Sequence, residues 1–223
     1  MMRALMFRDR RQAGEVLARH LISYARRPDV IVLALPRGGV PVGFEVARAL
    51  GVPLDVFVVR KLGVPGYPEL AMGAIASGGV RVLSRSLVAR LAISHEALDE
   101  VTGRETAELA RREALYRGSR PPHALSGMTV ILVDDGLATG ATMRAAVEAV
   151  RKLGAGRIVT AVPVAAPQAC GRLDEEADEC VCAAAPPGFS AVGEFYQDFE
   201  ATSDEEVRTL LTVAAESPAG SRA

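Results

Sequence analysis

Val130-Ile131-Leu132-Val133-Asp134-Asp135-Gly136-Leu137-Ala138-Thr139-Gly140-Ala141-Thr142 decides how this chain is read. Four consecutive apolar residues bounded by turn chemistry describe a short strand buried on both faces, as a central strand of a parallel sheet is. Two carboxylates follow at its carboxyl end, the end that faces the ligand crevice in open α/β sheets. Gly136 and Gly140 permit a tight turn and close backbone approach, and Thr139 and Thr142 offer hydroxyls where a helix opens near Ala141. The loop and helix N-terminus form an anion cradle, while the aspartates suit hydroxyls or a divalent cation. An Asx-type turn that merely caps a helix would not need both carboxylates, both threonines and both glycines.

Alternative motifs fit less well. A Walker-type loop needs a lysine after its last glycine, and none stands here. Haloacid-dehalogenase sites space their carboxylates two apart, whereas Asp134 and Asp135 are adjacent. The run resembles the phosphoribosyl-pyrophosphate (PRPP) signature of type I phosphoribosyltransferases: an apolar strand, two acids, two mostly apolar residues, then small-Thr-Gly-x-Thr. By that resemblance Asp134 and Asp135 hold the ribose hydroxyls directly or through water bound to Mg²⁺. Gly136, Leu137, Ala138, Thr139, Gly140, Ala141 and Thr142 form the 5′-phosphate loop.

Upstream, Val30–Leu35 is a buried strand running into Pro36-Arg37-Gly38-Gly39, with a helix from about Val40 to Gly51. This is the same strand, glycine loop, helix order. Gly38 and Gly39 expose backbone N–H groups and Arg37 adds a forked cation, a second phosphate subsite. Type I enzymes bind pyrophosphate at the matching place. Leu54–Val59 is the next strand, and Arg60 and Lys61 at its end are candidate pyrophosphate ligands, Lys61 the better. The Gly- and Pro-rich stretch from Leu62 to Tyr67 matches the family's flexible loop, whose closure excludes water. Ala71–Ile75 and Val80–Leu83 form a small hairpin. Before all of these, residues 1–8 are expected to fray, and residues 11–26 form an amphipathic helix with His20 on its apolar face.

Ser94 caps a long helix to about Tyr116, thin in apolar residues and laced with Glu100/Arg104 and Glu108/Arg112 pairs. It reads as a largely solvated arm or dimer contact without chemistry of its own. Past the signature come a helix to Gly154, a strand at Ile158–Val162, a short helix from Pro167 and a last strand at Glu179–Ala183. Phe189, Phe195, Tyr196 and Phe199 then form the aromatic cluster of the chain. Type I enzymes commonly stack the acceptor base here, so Phe189, Phe195 and Tyr196 are candidate base-binding residues. Such stacking contributes about 1–3 kcal/mol per base. Ser203 and Glu206 make a capping box for a final helix to about Ala214, and residues 216–223 are expected to be a disordered tail.

Composition sets outer limits. With 49% hydrophobic and 24% charged residues the chain is an ordinary globular protein, and at 223 residues it can bury a substantial core. A net charge of −1 gives no overall electrostatic footprint for nucleic acid or an anionic membrane. Cys170, Cys180 and Cys182, an odd number with no second Cys/His cluster, point to reduced, packing thiols and a cytoplasmic setting. The sequence carries no apolar run of membrane-spanning length and no signal core.

The fold expected is α/β: one doubly wound, mostly parallel sheet in a single domain over residues 1–215. Its core covers about 11–185, and a hood comes from 62–83 and 186–200. The resemblance implies a Mg²⁺-dependent pentosyltransferase of nucleotide metabolism and salvage, with a homodimer as the family's expectation. It would pass phosphoribosyl from PRPP to a nitrogenous base and release pyrophosphate, with Asp134, Asp135, Lys61 and Arg37 as its catalytic set. Ala138 stands where 6-oxopurine enzymes carry an aspartate, which disfavours hypoxanthine and guanine. The alternative is a non-catalytic PRPP or nucleotide-binding regulator of the same fold.

Overall fold

The computed structural model describes residues 6–216. Five parallel strands form the central sheet: β1 (Val30–Ala34), β2 (Leu54–Val56), β6 (Thr129–Val133), β7 (Arg157–Val164) and β8 (Glu179–Ala184), in the order β2-β1-β6-β7-β8. Side chains of β1 alternate between two cores. Val30, Val32 and Ala34 pack on one face with α1 (Arg10–His20), α2 (Gly39–Leu50), α4 (His95–Arg117) and α7 (Asp204–Glu216). Ile31 and Leu33 pack on the other with α5 (Ala141–Lys152) and α6 (Pro167–Glu176). This two-sided burial is what the uninterrupted apolar runs of β1 and β6 require.

Chain order makes the site. After β1 the chain turns to one side to build β2, and it later returns on β1's other side as β6. The loops after β1 and β6 therefore diverge at a topological switch point, where open α/β sheets bind ligands.

Between β2 and β6 lies an antiparallel sheet of β3 (Val59–Val64), β4 (Tyr67–Ala76) and β5 (Val80–Leu83), followed by the short α3 (Arg85–Arg90) and by α4. Here the expected boundaries shift. The run Leu54–Val59 is not one strand: β2 ends at Val56, and β3 leaves the main sheet to pair with β4. Arg60 and Lys61 thus sit inside β3 and point to its opposite faces. The Leu62–Tyr67 stretch is a hairpin turning at Pro65-Gly66, with Gly66 at φ +79°.

Further expectations are corrected. Residues 6–8 do not fray: Phe7 is 2% exposed and its N–H donates to the Phe195 carbonyl. The first helix ends at His20, which is exposed rather than packed, and a 3₁₀ turn at Ile22–Tyr24 replaces its remainder. The long helix α4 is less solvated than its composition suggests, because Leu98, Val101, Leu109 and Tyr116 join the core. Glu108 pairs with Arg112, whereas Arg104 turns to Glu105 and not Glu100. The reading of packing thiols also changes: α6 lies on β8, and Cys170 and Cys182 form a disulfide beside Cys180. The capping box at Ser203 forms, with the Glu206 N–H donating to its hydroxyl at 3.0 Å. The tail expected over residues 216–223 lies, apart from Glu216, outside the described residues.

Candidate active site

The two glycine loops meet at the aspartates. A Cβ on Gly38 would stand 2.0 Å from Asp135 Oδ2, and one on Gly39 would stand 2.7 Å from the Val133 carbonyl and 3.0 Å from Asp134 Cα. Only a backbone without side chains lets the N-terminus of α2 lie this close to the end of β6. The Pro36–Arg37 peptide in this turn is cis. Gly136 is also required by contact, since a Cβ there would meet Val192 at 2.5 Å. Gly140 is instead conformational: it begins α5 at φ +73°, in the left-handed region. Among the described residues, the N–H groups of Ala138, Thr139, Gly140 and Thr142 have no acceptor. They remain available at the start of α5, with the geometry of an anion cradle.

Electrostatics at the strand end are unbalanced towards negative charge. Burial and the neighbouring Asp135 push the Asp134 carboxyl well above the ordinary aspartate range. Burial also raises Asp135, against the pull of Arg10, whose Nε donates to Asp135 Oδ2 at 2.8 Å. Arg10 is fixed in turn: its Nη1 donates to the Glu200 carbonyl at 2.6 Å and its Cζ lies 4.0 Å from the Phe199 ring centre. The Asp134 side chain accepts the Asp135 N–H at 2.9 Å.

The sequence reading begins this helix at Arg11 and leaves Arg10 out of the site. Asp9 and Gln12 mark the true start of the helix, though not the contact Arg10 makes with Asp135. They form an acid-x-x-Gln cap, in which Asp9 accepts the Gln12 N–H at 2.8 Å while the Gln12 side chain returns to the Arg8 N–H. That cap orders the segment and aims Arg10 across the sheet.

The remaining candidates divide by their neighbours. Lys61 is exposed and, among the described residues, has no acidic partner within ion-pair distance. It faces a cavity of about 490 Å³ between the β3-β4-β5 sheet and α5, lined also by Gly73, Leu83, Ala141, Thr142 and Arg144. That cavity adjoins the phosphate-type loop and leaves the aspartates outside it. Arg60 points away, with Nε and a terminal nitrogen both on Glu105 of α4 at 3.0 and 2.7 Å. Its charge is neutralised there. Arg37 is half-exposed, 3.7 Å from Asp204 at the start of α7. Tyr196 is 5% exposed, packed between Phe7 and Phe199, and its hydroxyl donates to the Asp135 carbonyl at 2.6 Å. No ring face is open to a base, so Tyr196 positions the aspartate's backbone. Phe189 and Phe195 stack on each other at 5.4 Å and are only partly buried.

Asp134 and Asp135 supply hard oxygen donors. Among the described residues no third carboxylate or imidazole joins them. A divalent cation of the Mg²⁺ type fits such a pair, because it takes one or two carboxylates and completes its shell with water and phosphate oxygens. It would also relieve the repulsion from Asp135 that helps to raise the Asp134 carboxyl.

The model of the phosphoribosyl transferase domain matches residues 8–199. This chain belongs to the type I phosphoribosyltransferase family. Protein Rv0571c of Mycobacterium tuberculosis (strain H37Rv), named as a candidate phosphoribosyl transferase, is 48% identical over 206 residues, covering 92% of this chain. The chain spans only 46% of that relative's length. The crystal structure of TT1426 from Thermus thermophilus superposes with a TM-score of 0.82 at 46% identity, covering 92% of this chain and 97% of that one. The bifunctional protein PyrR of Brevibacillus brevis is 33% identical over 100 residues, 42% of this chain and 55% of its own. No helix among the described residues is long and apolar enough to cross a membrane.

Proposed function

We propose that this protein transfers the 5-phosphoribosyl group of PRPP to a nitrogenous base and releases pyrophosphate. The observation that carries this reading is the abutment of Gly38 on Asp135. It makes the two glycine loops and the acidic pair one continuous surface at the switch point of the sheet. A substrate with a phosphate at one end, a diphosphate at the other and vicinal hydroxyls between them matches that surface in order. The 138–142 loop takes the 5′-phosphate on its open N–H groups. Asp135, turned towards Gly38 and held by Arg10, and Asp134 behind it accept hydrogen bonds from the ribose hydroxyls. The backbone at Arg37 and Gly38, with Lys61 swung from the facing sheet, binds the diphosphate.

Substitution then proceeds at the anomeric carbon. A ring nitrogen of the base forms the new C–N bond as the C–O bond to pyrophosphate breaks, and positive charge develops on the ribose. The carboxylates beneath that ring stabilise this charge more than the neutral ground state, which is the condition for acceleration. Mg²⁺, held by Asp134 and Asp135 through water or through PRPP itself, would supply charge neutralisation to the leaving group. Ala138 offers no carboxylate to take a proton from a 6-oxopurine, which disfavours hypoxanthine and guanine as acceptors.

The test is incubation of the protein with Mg²⁺, PRPP and a pooled panel of bases, following pyrophosphate release and new nucleotide masses together. A new nucleotide establishes transfer and names the acceptor. Saturable PRPP binding without product across the panel would overturn transfer in favour of a PRPP-binding regulator, and absence of binding would overturn the assignment of the loop.

A further inference from the structure

All three cysteines of the chain gather at one place, remote from the aspartates in sequence and absent from the reaction above. Cys180 and Cys182 are two apart on β8, the edge strand, so both side chains leave the same face. Cys170 comes from the first half of α6, which packs on that face. Cys180 Sγ lies 3.6 Å from Cys170 Sγ and 3.6 Å from Cys182 Sγ, and Cys170 and Cys182 are joined as a disulfide. All three sulfurs fall within 4.8 Å of one another and all three residues are half-buried.

A disulfide alone does not account for the third thiol. A structural crosslink needs two cysteines, yet Cys180 stands equally close to both partners. Sulfurs bound 2.3 Å from one tetrahedral zinc ion lie about 3.8 Å apart, close to both distances made by Cys180.

We propose that these three cysteines, once the Cys170–Cys182 bond is reduced, form a thiolate site for one thiophilic d10 cation of the Zn²⁺ class. Reduction by a dithiol or phosphine adds two electrons and two protons, giving three thiols. Binding of the cation then expels three protons and forms three metal–sulfur bonds. Sulfur-only ligation selects soft and borderline ions over Mg²⁺, so this site and the aspartate pair take different metals. Three protein ligands leave one position for water or an external ligand. Oxidation closes the site by consuming two of its ligands, which makes metal uptake dependent on redox state.

The full chain, reduced with a phosphine under anaerobic conditions, is titrated with Cd²⁺ as a spectroscopic probe and with Zn²⁺ against a chromogenic chelator. The expected result is one ion per chain, a thiolate-to-cadmium charge-transfer band and three protons released per ion. Cys180→Ser keeps the Cys170–Cys182 pair and the fold. It should weaken binding by more than the roughly 10–100-fold that disturbing an outer hydrogen bond costs. The oxidised protein should not compete with the chelator. Failure of the folded, reduced protein to compete would overturn the proposal, as would unchanged affinity in Cys180→Ser or in the oxidised chain.

Discussion

Asp134→Asn should make the protein more stable at neutral pH while removing its PRPP binding. Asn is nearly isosteric, and its side-chain oxygen can still accept the Asp135 N–H that Asp134 accepts at 2.9 Å. What changes is the charge. The folded protein holds the Asp134 carboxyl well above its unfolded value, chiefly by burial and then by repulsion from Asp135, against the opposing pull of the Asp135 N–H and of Arg10. A carboxyl raised on folding binds more protons in the native than in the unfolded chain. Stability is therefore fully present below the unfolded pKa and is lost as pH rises through the folded one. Each unit of displacement costs about 1.4 kcal/mol above that window. For a chain of 223 residues each kcal/mol moves Tm by about 2–4 °C. Thermal unfolding of the two proteins, followed by circular dichroism without Mg²⁺ or PRPP, should diverge as pH rises from 4 to 8, with the variant the more stable at 8. Near pH 4, where both side chains are neutral, the curves should nearly coincide. A variant no more stable at pH 8, or equally stabilised at pH 4, would refute the claim that the site holds an electrostatically costly carboxylate. Adding Mg²⁺ and PRPP should reverse the order, since only the wild type gains binding energy from them.

Other residues separate the roles in the same site. Gly38→Ala places a carbon 2.0 Å from Asp135 Oδ2, so the Arg10–Asp135 pair must open; calorimetry should show lost PRPP affinity together with a lower Tm, and wild-type affinity would remove Gly38 from the binding surface. Lys61→Met should weaken PRPP and pyrophosphate binding at unchanged Tm, because this exposed lysine has no acidic partner among the described residues; equal affinity in the variant would refute its role. Tyr196→Phe keeps the ring but leaves the Asp135 carbonyl without its donor, for a loss of about 1–3 kcal/mol in denaturant unfolding. An unchanged unfolding midpoint would show that the hydroxyl positions nothing.

The central sheet was legible because its strands are buried on both faces, and such strands announce themselves as uninterrupted apolar runs. Val130–Val133 and Val30–Leu35 are of this kind, and the loops after them carry their chemistry within a few residues. Local caps were legible for the same reason: Ser203 bonds the N–H three residues on, and Gly51 closes α2 in the left-handed conformation. The hood was harder. Val58 and Val59 continue the apolar run of β2 without a break, so nothing local marks the point where the chain leaves one sheet for another. Arg60 and Lys61 look alike as neighbours in sequence. The alternation of β3 separates them, sending one to Glu105, 45 residues away, and the other to the cavity.

Long-range polar contacts account for the rest. Arg10 and Asp135 are 125 positions apart, and Tyr196 reaches Asp135 across 61. No periodicity or spacing encodes such pairs. They follow from the parallel bridge between Phe7 and Tyr196, which brings both termini of the matched domain to the end of β6. The consequence is chemical as well as structural. The acidic pair is pressed towards protonation, and one fixed cation lets Asp135 retain more of its charge than Asp134 can. Arg10 thus divides two adjacent, chemically identical side chains into an oriented carboxylate at the glycine loop and a more desolvated partner behind it. A ligand bringing positive charge, whether a divalent cation or a ribose approaching its transition state, meets the strongest unanswered demand for it at Asp134.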